Sequence, residues 1–236
     1  GPEGTRALAL VRPPGHHAER HRAMGFCLLN NVAIAAAHAR AKGVARVAVV
    51  DIDVHHGNGT QWAFYDDPTV LFVSSHQYPF YPGTGGPGDI GKGAGYGFTV
   101  NLAIEAGATD EDLWLAYHRV ALPVLDQFKP ELVLISAGFD GHQDDPLGGW
   151  RATTQGFAQL MAALVDTANV HAGGRVVAVT EGGYDLAALH ACLTTTVEVL
   201  DDRLMVEQPT ATPDAAVRGA RAVAAVTPGL SRIWTL

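Results

Sequence analysis

Short runs of β-branched and apolar residues alternate along this chain with longer segments of helical period. Residues 7–11 read as a strand, and 30–42 as an alanine-rich helix closed by Gly43. Residues 46–53 (Arg-Val-Ala-Val-Val-Asp-Ile-Asp) are almost continuously apolar, the pattern of a strand buried on both faces. Further strands are expected at 69–75, 98–102, 132–137 and 175–180. Helices are expected at 109–128, where a threonine cap precedes an acidic first turn, and at 153–170 and 186–200. Residues 213–225 read as one amphipathic helix. Strand-helix alternation of this kind predicts an α/β fold with a mainly parallel, doubly wound sheet carrying helices on both faces. Residues 78–96, rich in glycine, proline and aromatics, have little periodicity and are expected to form a binding loop.

Composition narrows the picture. At 236 residues without an internal linker, a single domain spanning 1–236 is expected, with residues 201–236 as a motif-free C-terminal extension. The formal net charge of −8, with no basic cluster, argues against direct nucleic-acid binding and is compatible with a cationic substrate. No apolar run approaches the ~20 residues of a membrane span. Residues 1–6 lack a basic stretch leading into an apolar core, so a cytoplasmic location is the expectation. Cys27 and Cys192 are too few for a disulfide framework and read as buried free thiols. The unusual count is 11 histidines, several of them beside aspartates.

Three expected strands run into polar loops, 51–58, 138–145 and 181–185. Ligand sites of open parallel sheets lie beyond the carboxyl ends of the strands, so these loops should converge on one crevice. In Asp51-Ile-Asp-Val-His-His-Gly-Asn-Gly-Thr60, residues Asp51, Asp53 and His55 alternate, and an extended chain would project them to one side. Asp53 and His55 can share a cation, with Asp140 from the next polar loop as a third ligand; the bland reading is that such residues cap the following helix. Asp144 and Asp145 are expected to cap a turn before Pro146. The tandem His16-His17, in a loop stiffened by proline and glycine, can be ligands, general bases or solvent-facing groups. Asp51 or Asn58 can fix the tautomer of such an imidazole. Tyr184, on a glycine hinge, can place its hydroxyl over a polarised carbonyl or can simply pack.

Six segments, in order and covering about 7–200, carry a resemblance: Arg12-Pro-Pro-Gly-His-His-Ala18, Gly25-Phe-Cys-Leu-Leu-Asn-Asn31, 51–61, Tyr81-Pro-Gly-Thr-Gly85, Ala137-Gly-Phe-Asp140 and Glu181-Gly-Gly-Tyr-Asp185. They resemble the histone deacetylase family, within the arginase–deacetylase superfamily, and are most similar to its class II branch and bacterial relatives. The resemblance implies an arginase/deacetylase-like fold and a zinc-dependent amidohydrolase that removes acetyl or other acyl groups from lysine Nε by a metal-activated water. It implies that Asp53, His55 and Asp140 bind zinc, that His17 is the general base and then acid, and that His16, paired with Asp51, is an electrostatic partner. Tyr184 would bond the substrate carbonyl, Phe26 and Tyr81 would line the acyl-lysine channel, and the Gly25 carbonyl would accept the substrate amide. A structural potassium ion is implied near Asp51, Asp53, His55 and Ser74.

The chain departs from the family pattern in two ways. Asn58 stands where some members have aspartate, which should keep His17 neutral nearer to neutral pH. The family domain usually has a longer portion ahead of the Arg-Pro-Pro segment, so a fragment or a minimal member is expected. A two-manganese ureohydrolase would need carboxylates where Gly57 and His142 stand. An acetylpolyamine amidohydrolase shares the zinc chemistry, but some polyamine-selective relatives carry an acidic gatekeeper where this chain has Leu147. The expected partners are therefore an acyl-lysine peptide or protein, or an acetylpolyamine, with an oligomer compatible with either; a catalytically impaired binding module is the remaining alternative.

Overall fold

The computed structural model describes residues 4–210 and 212–236. Six strands, β1 (Arg6–Ala9), β2 (Val47–Asp51), β3 (Val70–Gln77), β4 (Thr99–Ile104), β5 (Leu132–Ala137) and β6 (Val176–Thr180), form one sheet in the order β1-β6-β5-β2-β3-β4. Every pairing is parallel.

Alternation along β2 explains the layers. Val47 and Val49 point to one face, where they pack with Val32, Ala33 and Ala36 of α1 (Asn31–Ala41) and Phe64 of α2 (Asn58–Phe64). Ala48 and Val50 point to the other, into a larger core with α3 (Asp110–Ala116), α4 (Leu122–Phe128), α5 (Thr154–His171), α6 (Leu186–Leu200) and α7 (Val217–Leu230). Both faces of β2 are therefore buried, which is why its sequence is continuously apolar.

The element types agree with the sequence pattern, and the differences have local causes. The expected helix at 109–128 is interrupted by a π-helical turn at Tyr117–Ala121, where the buried Tyr117 hydroxyl reaches Ser75 Oγ at 3.1 Å. Strand β2 stops at Asp51 rather than residue 53, because Oδ1 of Asp51 accepts the Asp53 N–H and bends the chain. The last helix runs to Leu230, since its buried face is Ala222, Val226 and Leu230, at helical spacing, rather than ending at 225. This C-terminal segment belongs to the core: Trp234 Nε1 donates to the Gly97 carbonyl at 2.7 Å, and Asp112 accepts the Gly219 N–H. Cys27 and Cys192 are buried and unbridged, as expected. No described helix is long and apolar enough to cross a membrane.

The strand order places the site. The chain leaves β2 toward β3 on one side, and leaves β5 toward β6 on the other. Adjacent strands whose connections diverge open a crevice at their carboxyl ends. Asp53 and His55 follow β2, and Asp140 follows β5.

Candidate metal centre and active site

Asp53, His55 and Asp140 each offer one ligand atom, and these atoms lie within 4.8 Å of one another. His55 Nδ1 is 3.0 Å from Asp140 Oδ2 and 3.1 Å from Asp53 Oδ1. Main-chain donors fix both carboxylates: Val54 N–H bonds Asp140 Oδ1, Gly182 N–H bonds Asp53 Oδ2, and His55 N–H bonds Asp53 Oδ1. A turn, rather than the extended alternation expected from sequence, therefore brings Asp53 and His55 together. Glycine at 182 is obligatory, since a Cβ there would sit 2.1 Å from Asp140 Oδ2.

The electrostatics of this trio are compatible with a bound cation. Burial alone would lower the His55 pKa, but bonds to Asp140 and Asp53 push it up to about 10. Burial, with the charge of Asp53, pushes Asp140 up to about 7, while His16 and His55 overcome burial to hold Asp53 below the ordinary carboxylate range. With both carboxylates ionised and the imidazole neutral, a bound cation would supply the positive charge that a protonated His55 supplies otherwise. Two oxygen ligands and one nitrogen suit zinc, with coordination left open for reactants.

Two histidines stand beside the trio, with unequal partners. His16 Nδ1 is 2.9 Å from Asp51 Oδ2; burial opposes its charge, but Asp51, Asp53 and Glu181 raise its pKa well above the ordinary value. His17 Nδ1 is 2.8 Å from Asn58 Oδ1. The amide nitrogen of Asn58 donates to Glu19 Oε1 at 2.7 Å, so its oxygen must face His17. Nδ1 of His17 therefore carries the proton and Nε2 keeps a lone pair. Burial and the charge on His16 lower the His17 pKa to about 3, so the imidazole is neutral at physiological pH.

A narrow cleft of about 50 Å³ opens over these groups, and all the expected substrate-binding residues line it: Gly25, Phe26, Tyr81 and Leu147, together with Tyr184. Tyr81 meets the edge of His17 at 5.2 Å between ring centroids, and Phe26 meets Tyr184 at 6.2 Å. Phe26 and Tyr81 are 71% and 46% exposed, as walls of an open mouth would be. Gly25 has φ +55, and a Cβ there would strike the His17 ring at 2.2 Å. Its carbonyl already accepts the Cys27 thiol at 3.2 Å and keeps a second lone pair. Burial, together with the charges of Asp140 and Asp53, raises the Tyr184 pKa, so its hydroxyl stays a donor.

The structure pairs Asp51 with His16, as expected, and turns Ser74 toward His76, with Oγ 3.0 Å from Nδ1. It also adds residues that sequence reasoning missed. Phe80 stacks on His55 at 5.1 Å, Glu19 orients Asn58, and Glu181 accepts N–H bonds from Gly15 and His16. Asp145, expected only to cap a turn, also accepts from Tyr184 N–H at 2.7 Å. The aromatic stretch around Phe80 was one local signal, and Asp145 and Glu181 lie in polar loops already expected at the crevice; Glu19 had none.

Residues 2–200 match the family model described as "Histone deacetylase domain". The chain is 46% identical over 184 residues to a probable deacetylase of Archaeoglobus fulgidus, covering 78% of this chain and 51% of that protein. It is 42% identical over 222 residues to histone deacetylase 10, chloroplastic, of Oryza sativa subsp. japonica, covering 89% of this chain and 50% of that protein. The chain thus spans about half the length of these curated relatives. Among solved structures it superposes on a crystal structure described as the HDA15 HD domain with TM-score 0.88 and 41% identity, over 96% of this chain and 62% of that one.

Proposed function

The chain belongs to the histone deacetylase family, and we propose that it is a zinc-dependent hydrolase of N-acyl-lysine amides. The single observation that carries the reading is the convergence of Asp53, His55 and Asp140 beside a neutral, amide-oriented His17 at the base of one cleft. Asp53, His55 and Asp140 would hold the zinc. When bound, the ion supplies Lewis acidity to the substrate carbonyl and to the attacking water.

The chain's own groups supply the rest. His17 accepts a proton at Nε2 from the attacking water and returns it to the departing lysine amine, a contribution of about 10²–10⁴-fold. Asn58, itself held by Glu19, keeps the required tautomer. His16, held charged by Asp51, stabilises negative charge as it develops. The Tyr184 hydroxyl donates to the carbonyl oxygen, worth about 10²–10³-fold for one such donor. Phe26 and Tyr81 flank the acyl-lysine stem, and the free lone pair of the Gly25 carbonyl accepts the substrate amide N–H. A potassium ion would lie near Asp51 and Ser74, which the register of β2 and β3 sets opposite each other.

Leu147 lines the cleft where a cationic polyamine would need an acidic group, which favours acyl-lysine. Turnover of an acetyl-lysine peptide, longer acyl-lysine peptides and acetylated polyamines, with metal content measured alongside, tests the reading. Zinc near one per chain with acetyl- or acyl-lysine peptides turned over faster than polyamines is expected. Bound zinc without turnover of any of the three would sink it and leave a binding module.

A further inference from the structure

The carboxylate of Asp145 lies away from the metal trio and is occupied by main-chain donors. Oδ1 accepts the Leu147 N–H at 2.9 Å, and Oδ2 accepts the N–H groups of Tyr184 at 2.7 Å and Asp185 at 3.2 Å. The side chain is buried, and the residue is itself tied down by its own N–H, which donates to the His142 carbonyl at 2.9 Å. Hydrogen bonds to a charged acceptor are roughly twice as strong as neutral ones, and here they hold two loops to each other.

The loop that receives them needs a brace. Tyr184 follows Gly182 and Gly183, and Gly183 has φ +136, a conformation in which glycine resists bending least. On the far side Asp185 begins α6 by accepting the Ala188 N–H at 2.8 Å. Between the glycine pair and this helix cap, Asp145 is the side chain that grips the backbone of Tyr184. The same carboxylate closes the local turn to Leu147, which also lines the cleft.

We propose that Asp145 is a positioning residue that sets the reach of Tyr184 over the cleft. The proposal rests on the deacylase reading for its effect on turnover, but not for its effect on the loop. A displacement of about 1 Å at a reacting group can cost 10²-fold, so loosening this anchor lowers kcat far more than it changes KM.

The test uses the zinc-loaded full chain with Asp145→Asn, and Asp145→Glu as a second variant that keeps two acceptor oxygens; melting temperatures identify any variant that fails to fold. Hydrogen–deuterium exchange of the Tyr184 and Asp185 amides, which requires no substrate, is expected to accelerate at least about 10-fold in Asp145→Asn while the β6 amides stay protected. On an acetyl-lysine peptide, kcat is expected to fall about 10–10²-fold with KM within about threefold, and Asp145→Glu to recover part of the loss. Placed on a Tyr184→Phe background, Asp145→Asn should lower kcat less than about twofold, because the group it positions is gone. Unchanged amide exchange, or losses that multiply fully in the double variant, would overturn the proposal. Full turnover by Tyr184→Phe alone would instead overturn the functional reading, and amide exchange would still decide whether Asp145 braces the loop.

Discussion

Of two concavities among the described residues, the larger has the poorer chemistry. A groove of about 310 Å³ lies along α3, α4 and α5, bedded on Trp114, Leu122, Ala163 and Val170. The cleft at the carboxyl ends of β2 and β5 is about 50 Å³. Size and apolar lining ordinarily point to a ligand site. Here the groove offers a hydrogen bond, His171 Nε2 to Asp126 Oδ1 at 2.9 Å, with Asp126 largely exposed. The cleft gathers buried imidazoles and carboxylates whose proton affinities its own walls have shifted. The difference teaches that groups displaced from their solution behaviour, rather than volume, mark the candidate site.

The comparison can be broken most decisively at the metal trio. Asp140→Ala is expected to abolish zinc retention and reduce turnover to background, measured by metal analysis and peptide assay; zinc still bound at one per chain would refute the ligand assignment. Tyr184→Phe comes next, with kcat down about 10²–10³-fold and zinc content unchanged.

A smaller, directional effect is expected from Asn58→Asp. His17 must be neutral to act as a base, and burial and the charge of His16 lower its pKa to about 3. A carboxylate at Nδ1 favours the protonated ring and raises that pKa. Raising the pKa of a base makes activity disappear at higher pH during acidification, so the acid limb of kcat/KM moves upward. An unmoved limb in this variant would remove His17 from the role. The smallest effect belongs to the groove: Asp126→Asn should leave turnover within about twofold and cost less than about 1 kcal/mol of stability, as exposed pairs do. A tenfold loss of turnover there would reverse the ranking of the two concavities.

Much of this was legible in the chain itself, for reasons that also mark where legibility ended. Strand cores such as 47–51 declare themselves because both faces are buried, and Asp53, His55 and Asp140 because ionisable residues directly after such strands need a purpose. The π-turn at Tyr117–Ala121 left no mark, since one extra residue in a helical turn hardly disturbs an apolar pattern that is buried nearly throughout. As acceptors, Glu19, Asp145 and Glu181 escaped for a different reason. Each acts through hydrogen bonds to residues remote in sequence, such as Glu181 to Gly15, and an acceptor for a distant N–H looks like any other acidic residue. Asp51 was assigned to the correct neighbour, His16, although the extended geometry imagined for it gave way to a turn.

The neighbouring positions of β2 and β5 in the sheet have a consequence for how the molecule comes into being. Asp53 and Asp140 are 87 residues apart in sequence, with β3, β4 and the α3–α4 segment between them. Parallel pairings across such distances carry a heavy entropic cost and form slowly. A chain that has made only its local helices therefore owns no centre at all, and zinc uptake during refolding should trail helix formation and track completion of the sheet. The ion would thus serve as a clock for assembly as well as a participant in chemistry.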